Sequence, residues 1–412
     1  MVEAWMALLG GGTLLLVGFA ASLVFERFRV PDFFLLLLLG VVLAAIPVAP
    51  FGPTAAASLA PTVPVLLNLT LAFILFEGGL ALNTGRGRGK GVLTVHILGA
   101  MGLTMACTYV IATRILGLSA ITGITLAAAF SGPSATVVLS FAPRLNLSPA
   151  ALRAIILEGV LGNVAAAIIV LFAIQFPGAA PTIPALVDYL VDIALAAGLA
   201  LVVGLGWRAA FAGLLPYKFQ YIATIGLAVV VYAAAEGLIG QNGAIAAFVL
   251  GLVIGYGHPG LSKVNEATGE GLRAFQSEVT FGLRTFFFVY LGLSIQFAAI
   301  TLQAIAGALL LVVGFLLARV PTSLLLGRAS RLPRRDTRVV LVTIGRGLTD
   351  VVLILFALTS GVLPAAEESF LVAMLPLIIL FAATVCAGLI AWAARTSGAQ
   401  PSRPPQPEPR KA

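Results

Sequence analysis

In the stretch 155–166, "IILEGVLGNVAA", Glu158 and Asn163 stand among apolar side chains. Three more charged residues fall inside apolar runs: Glu77 in "FILFEGGLAL", and Arg346 and Asp350 in "TIGRGLTDVV". A charge at the centre of a bilayer costs on the order of 2.5–3.5 kcal/mol, so each of them needs a chemical reason. Arg346 and Asp350 are four apart, which sets them on one face of a regular helix, where they could simply neutralise each other. The alternative is a carboxylate from another helix, Glu77 or Glu158, meeting an arginine that stays charged at any working pH. Burial favours the neutral carboxyl and a neighbouring arginine the charged one, so an acid under both influences can exchange protons near neutral pH. That is a transport chemistry. Glu236, Glu278, Arg284, Arg319, Asp188 and Asp192 fall nearer the ends of apolar runs and read as structural or interfacial.

Other chemistries find little support. His96 and His258 are far apart in the chain, which argues against a metal site. Cys107 and Cys386 lack metal or redox spacing and read as small packing residues. "GRGRGK" at 85–90 lacks the Gly-Lys-Ser/Thr ending of a phosphate loop and reads as a basic turn. With no nucleophile–base pair and no dinucleotide-binding turn, the chain is not expected to be an enzyme or to hold a cofactor.

The elements that carry these residues follow from composition. Of 412 residues, 60% are hydrophobic and 10% charged, against roughly 25% charged in an ordinary soluble domain. Mean hydropathy is +1.10. Apolar runs long enough to cross a bilayer recur from end to end, so the fold expected is an all-α integral membrane protein. About thirteen spans are expected, at 5–25, 33–50, 62–82, 92–113, 119–143, 149–176, 184–206, 220–239, 243–257, 275–297, 300–320, 338–360 and 369–393. They make residues 1–395 one membrane transporter domain, followed by a proline-rich tail, 396–412, expected to be disordered and cytoplasmic. The net charge of +8 comes from loops rather than one face, so nucleic acid is not an expected partner.

Basic residues gather after odd-numbered spans: Arg27 and Arg29; Arg86, Arg88 and Lys90; Arg144 and Arg153; Arg208 and Lys218; Lys263 and Arg273; and the run Arg328 to Arg338. Positive charge stays on the cytoplasmic side, which sets the N-terminus outside and the C-terminus inside. Spans 1–6 and 8–13 then run in opposite senses and can form inverted repeats. Such repeats carry broken helices at matching places. Span 5 contains Ser131-Gly132-Pro133-Ser134, and span 12 contains Gly345 and Gly347 beside Arg346. Ordinary kinks in packed helices are the plainer reading of both.

The order of several elements resembles a known family. "FERFRVPDFFLLLLLGVVL" is similar to its second span, "FILFEGGLAL" to its third, "GAIAAFVLGLVIG" and "RTFFFVYLGLSI" to its ninth and tenth, and "GRGLTDVVLILFAL" to its twelfth. Over residues 5–393 the chain resembles the cation:proton antiporter superfamily, in particular the branch related to eukaryotic sodium/proton exchangers. The resemblance implies a homodimer in the cell membrane, each protomer having dimerisation helices and a six-helix core built on two crossing, discontinuous helices, spans 5 and 12. It also implies elevator-like exchange of Na+ or K+ for H+. The family's sixth span reads Glu-Ser-x-x-Asn-Asp; here its glutamate is Glu158, its asparagine position is Gly162 and its ion-binding aspartate is Asn163. The fifth-span Thr-Asp-Pro becomes Ser131-Gly132-Pro133, also without its acid.

Asparagine does not titrate and cannot alternate a proton with a cation. Oxygens of Asn163, Ser131, Ser134 and Thr349, with carbonyls freed by the broken helices, could still hold an alkali cation. Charge and proton coupling would pass to Glu158, Glu77 or Asp350, with Arg346 as charge partner. Two alternatives stand beside displaced coupling: a transporter on the same scaffold for an anion or small polar solute, and a homologue that no longer transports.

Overall fold

Lipid offers no hydrogen bonds, so an apolar chain must close its backbone bonds internally, which in a chain of this pattern means helices. The computed structural model describes residues 12–13, 15–21, 23, 32–46, 57, 59–82, 90–134, 147–177, 182–212, 220–255, 262–295 and 297–395. After helical residues at 12–13, 15–21 and 23, the helices are α1 (Asp32–Ala45), α2 (Val63–Leu82), α3 (Lys90–Val110), α4 (Ala120–Ala129), α5 (Pro149–Gln175), α6 (Ile183–Ala212) and α7 (Gln220–Leu238). They continue as α8 (Gly243–Gly255), α9 (Ser262–Leu293), α10 (Leu302–Ala329), α11 (Arg334–Leu341), α12 (Leu348–Thr359) and α13 (Ala365–Arg395). Among the described residues there is no strand. Each expected span from the second onward overlaps one of these helices. Expected features at Arg27, Arg29, Arg86, Arg88, Arg144, Lys218, His258, 135–143 and 396–412 lie outside the described residues.

Among the described residues, seven helical stretches are long and apolar enough to cross a bilayer, including Pro149–Gln175, Leu302–Ala329 and Ala365–Ala393. With the shorter apolar helices between them they make a multi-pass membrane protein. Ile183, Leu190 and Val202 on α6 and Leu302 on α10 are largely exposed, as side chains facing lipid are free to be.

Interhelical contact in lipid depends on close packing rather than on water exclusion. Two crossings use glycine for it. A Cβ on Gly79 of α2 would strike the Phe248 carbonyl of α8, and one on Gly251 the Phe76 carbonyl. Likewise a Cβ on Gly40 of α1 would strike the Val289 carbonyl of α9, and one on Gly292 the Leu37 carbonyl. Both pairs of backbones therefore touch.

The ends of four core helices are tied in pairs. Glu367, in the first turn of α13, accepts from Ser119 N and Ser119 Oγ at 2.8 and 3.0 Å, just before α4. Asp336, in the first turn of α11, accepts from Ser148 N at 3.0 Å, just before α5. Acids at helix starts and N-capping serines are both matched to unpaired amides there. The starts of α4 and α13 meet, and so do the starts of α5 and α11.

Two expected boundaries change. The span expected at 300–320 runs as α10 to Ala329, with Pro321 inside the helix. Proline is tolerated where neighbours satisfy the freed backbone groups. The span expected at 338–360 is broken: α11 ends at Leu341 and α12 starts at Leu348.

Candidate functional site

The α4 helix stops at Ala129, and residues 130–134 are not helical. Pro133 has no amide hydrogen to continue the ladder. Residues 343–347, "TIGRG", are also irregular, between α11 and α12. The two interruptions meet. Ser134 N donates to Gly345 O at 2.8 Å, and Arg346 Nη1 donates to Gly132 O at 2.5 Å. Each break thus supplies a partner for backbone groups the other leaves open.

Arg346 is 2% exposed and reaches this position across aromatic rings. Its guanidinium carbon lies 4.0 Å from the centroid of Phe315 and 5.6 Å from that of Phe130. Cation–π contact in a dry interior partly replaces the lost hydration.

The α4 interruption rests on α5 at its most constricted point. A Cβ on Gly132 would come within 2.7 Å of Gly162 Cα, and one on Gly162 within 2.6 Å of Gly132 Cα. Only glycine allows both backbones that approach. Asn163, the next residue, is half-buried, and its backbone nitrogen lies 3.5 Å from the same Gly132 Cβ position. Ser131 Oγ is buried with no hydrogen-bond partner among the described residues. Ser131 and Asn163, both with uncharged side-chain oxygens of the type a hard alkali cation takes, are the chain neighbours of the two glycines at this crossing.

Glu158 sits five residues before Asn163 and is fully buried. Arg319 grips both of its oxygens: Nη1 donates to Oε1, and Nη2 to Oε2 at 2.8 Å. The same guanidinium donates from Nη2 to Val340 O at 2.8 Å and from Nε to Leu341 O at 3.2 Å. Those are carbonyls of the last turn of α11, where the helix stops; Val340 O also accepts from Thr343 N at 3.4 Å. One cation thus neutralises an acid and caps a broken helix. His96 of α3 completes the cluster, its Nε2 lying 3.3 Å from Glu158 Oε2.

The sequence reading missed this cluster. It set Arg319 near a span end, whereas Arg319 is 3% exposed and lies ten residues before the end of α10. The arginine bonded to Glu158 is Arg319 and not Arg346, which interacts electrostatically with Asp350, Arg319 and Glu158 without forming an ion pair among the described residues. The Arg346–Asp350 pairing on one regular helical face also does not form, because helix starts only at Leu348. Asp350 Oδ2 instead accepts from Gly347 N at 2.5 Å and caps α12. Thr349 and Ser134 are half-buried beside these breaks.

Glu77 is exposed on α2. A Cβ on Gly78, the next residue, would lie 3.3 Å from Val160 Cγ1 and 3.9 Å from Val164 Cγ2. Those valines bracket Asn163 on α5, so Glu77 and Asn163 are at one level. Further along, a cavity of about 510 Å³ opens between the ends of α5 and α12 and the α7–α8 turn; Gln175, Glu236, Gln241 and Ser360 contribute polar groups to it.

A family model described as sodium/hydrogen exchanger, transmembrane, matches residues 12–394. Among solved structures, the sodium proton antiporter MjNhaP1 from Methanocaldococcus jannaschii at pH 8 is similar at 19% identity and a TM-score of 0.75, with 96% of this chain and 99% of that one covered. An electron-microscopy map of the same antiporter matches at 19% identity and a TM-score of 0.72, covering 97% of this chain and 100% of that one. At that identity the likeness establishes the fold. No curated protein matches.

Proposed function

Because the chain belongs to the sodium/hydrogen exchanger family, we propose that it exchanges a monovalent cation, Na+ or K+, for protons across the membrane. The observation that carries this reading is the meeting of two interrupted helices on Gly162 and Asn163, with the unpartnered Ser131 hydroxyl beside them. Cation coordination there rests on Asn163, Ser131, Ser134, Thr349 and backbone carbonyls. The cation's charge is met by a carboxylate other than the missing aspartate. Of the three candidates, Glu158 is held by Arg319, and Asp350 caps α12. Glu77 is the exposed one, level with Asn163, and takes the coupling role.

The movement is elevator-like, carrying the core that contains α4, α5, α11 and α12 against the remaining helices. Inverted repeats supply the two-fold relation such alternation needs. Two observations support them: the Gly79–Gly251 crossing of spans 3 and 9 has a counterpart in the Gly292–Gly40 crossing of spans 10 and 2, and the Ser119–Glu367 tie has one in Ser148–Asp336. The protein works as a homodimer in the plasma membrane, with its N-terminus outside and its C-terminus in the cytoplasm.

Proteoliposomes holding a pH gradient and an internal pH dye test the reading. Addition of Na+ or K+ dissipates the gradient in the wild type and not in Glu77→Gln. A response to chloride or a carboxylate instead would favour anion transport, for which the buried Arg346, with its Nε unpartnered among the described residues, is the observation in favour. A response to no solute would identify a non-transporting homologue.

A further inference from the structure

α11 is a short amphipathic helix that follows the membrane-spanning α10. At about 100° per residue, Arg334, Arg335 and Arg338 fall within an arc of about 100°, and the buried Asp336, Val339 and Val340 lie on the other side. The buried side is committed, since Asp336 accepts from Ser148 N. The basic side is not. Arg328, Arg331, Arg334 and Arg335 form no ion pair among the described residues, and Arg335 Nε is buried with no hydrogen-bond partner there. Asp336 is the one acid between Leu302 and Thr349. Nothing in α10, in α11 or in the turn between them offsets the charge of this face.

Two contacts fix its level in the bilayer. A Cβ on Gly327, two residues before the end of α10, would strike Thr337 Oγ1, so the end of α10 rests against α11. The guanidinium carbon of Arg338 lies 5.3 Å from the ring centroid of Trp392, which is 51% exposed near the end of α13. Both α10 and α13 are long and apolar enough to cross the bilayer, and both end here. Tryptophan gathers at the membrane–water boundary, the depth at which lipid phosphates lie. Arg331, in the turn between α10 and α11, has a φ of 49°, which glycine adopts without strain. The position carries an arginine all the same.

We propose that the arginine face of α11, with Arg328, Arg331 and Trp392 beside it, binds the phosphate headgroup of an anionic phospholipid.

A guanidinium meets a phosphate through two parallel N–H donors, and this face offers several such forks at one depth. Each basic residue near an anionic membrane surface adds about fivefold in affinity. A free phosphate could use the same forks, but the surroundings favour a lipid. Leu324 and Leu325 are exposed on α10 one turn before Arg328 and on its side of the helix, where acyl chains can lie. The bound headgroup would sit close to the transport machinery, because α11 leads directly into residues 343–347, where Arg346 donates to Gly132 O.

The chain has three tryptophans, so the full-length Trp5→Phe/Trp207→Phe protein reports from Trp392 alone. In phosphatidylcholine vesicles, chain-brominated phosphatidylglycerol is expected to quench Trp392 at a fraction roughly tenfold lower than brominated phosphatidylcholine does. The preference should fall below about twofold in Arg334→Gln/Arg335→Gln, and Arg334→Lys/Arg335→Lys, which keeps the charge without the fork, should lie between. Should the glutamine variant fail to fold, the two lipids on the parent protein and the lysine variant decide. Equal quenching by the two lipids overturns the proposal, as does a preference unchanged by the glutamine substitutions. A preference abolished by millimolar inorganic phosphate also overturns it, in favour of a free-phosphate site. No readout involves transport, so the result is independent of the exchange reading.

Discussion

Arg319 donates to both carboxylate oxygens of Glu158 from a helix that follows it by more than 140 residues, and the same guanidinium closes the carbonyl end of α11. This ion pair is fully desolvated, so its two halves are worth far more together than either alone. Removing one partner of a buried pair strands a charge at a cost of about 3–5 kcal/mol. Glu158→Gln should therefore lower the thermal unfolding midpoint of the purified protein sharply, and Arg319→Leu more so, since it also removes the donor to Leu341 O and one of the two donors to Val340 O. The double variant Glu158→Leu/Arg319→Leu should recover part of the first loss and none of the second. Equal midpoints for all three would contradict the pairing.

A separate test concerns Asp350. It accepts from Gly347 N and starts α12 just beyond the break. Asp350 is the third residue of α12 and reaches back to the amide of its N-cap, Gly347; a hydrogen bond to a charged group is worth about 1.5–3 kcal/mol. Asp350→Asn keeps an acceptor oxygen and should retain more stability than Asp350→Ala, read as thermal midpoint. Should Asp350→Asn also keep pH-driven cation exchange, Asp350 serves the break and not the proton.

Much of this was legible in the sequence because lipid punishes irregular backbone and buried charge. Ser131-Gly132-Pro133 and Gly345–Gly347 could be picked out as interruptions because they fall at matching places of two opposed repeats, where kinks alone were the plainer alternative. Glu158 and Asn163 stood out for the same reason. Arg319 did not, because it falls at the end of the span expected at 300–320, whereas the helix runs on to Ala329. His96 looked solitary when tested for metal spacing, while its partner lies 62 positions away on another helix. The mutual neutralisation of Arg346 and Asp350, one of two readings open in the sequence, fails because four-residue spacing means one face only where a helix exists, and there it starts between them. Contacts between helices depend on register and crossing, which one-dimensional pattern does not encode.

The crossing of Gly132 on Gly162 makes a steric prediction. A methyl group at 162 would fall 2.6 Å from Gly132 Cα, against backbone that cannot rotate away. Overpacking of this kind costs about 1–3 kcal/mol. Gly162→Ala should lower the thermal midpoint and suppress cation exchange, whereas Gly102→Ala, with nothing within 4 Å of its added Cβ, should change neither. Full activity in Gly162→Ala would mean that the interruption does not sit on α5 during transport.

Asn163→Asp is the most direct probe of the site. It changes one amide to a carboxylate, at the half-buried position beside Gly132 and the unpartnered Ser131 hydroxyl. If the oxygens there already hold a cation, added negative charge should raise apparent affinity for Na+ or K+, by about tenfold for each 1.4 kcal/mol gained. The new carboxyl can also give up its proton to solvent as the cation binds, so exchange should become less dependent on Glu77. The double variant Asn163→Asp/Glu77→Gln should then exchange cations better than Glu77→Gln alone. Liposome flux at several cation concentrations separates affinity from maximal rate. If Asn163→Asp leaves cation affinity, rate and pH profile unaltered, Asn163 does not face the transported ion, and the binding site lies elsewhere along the two interrupted helices.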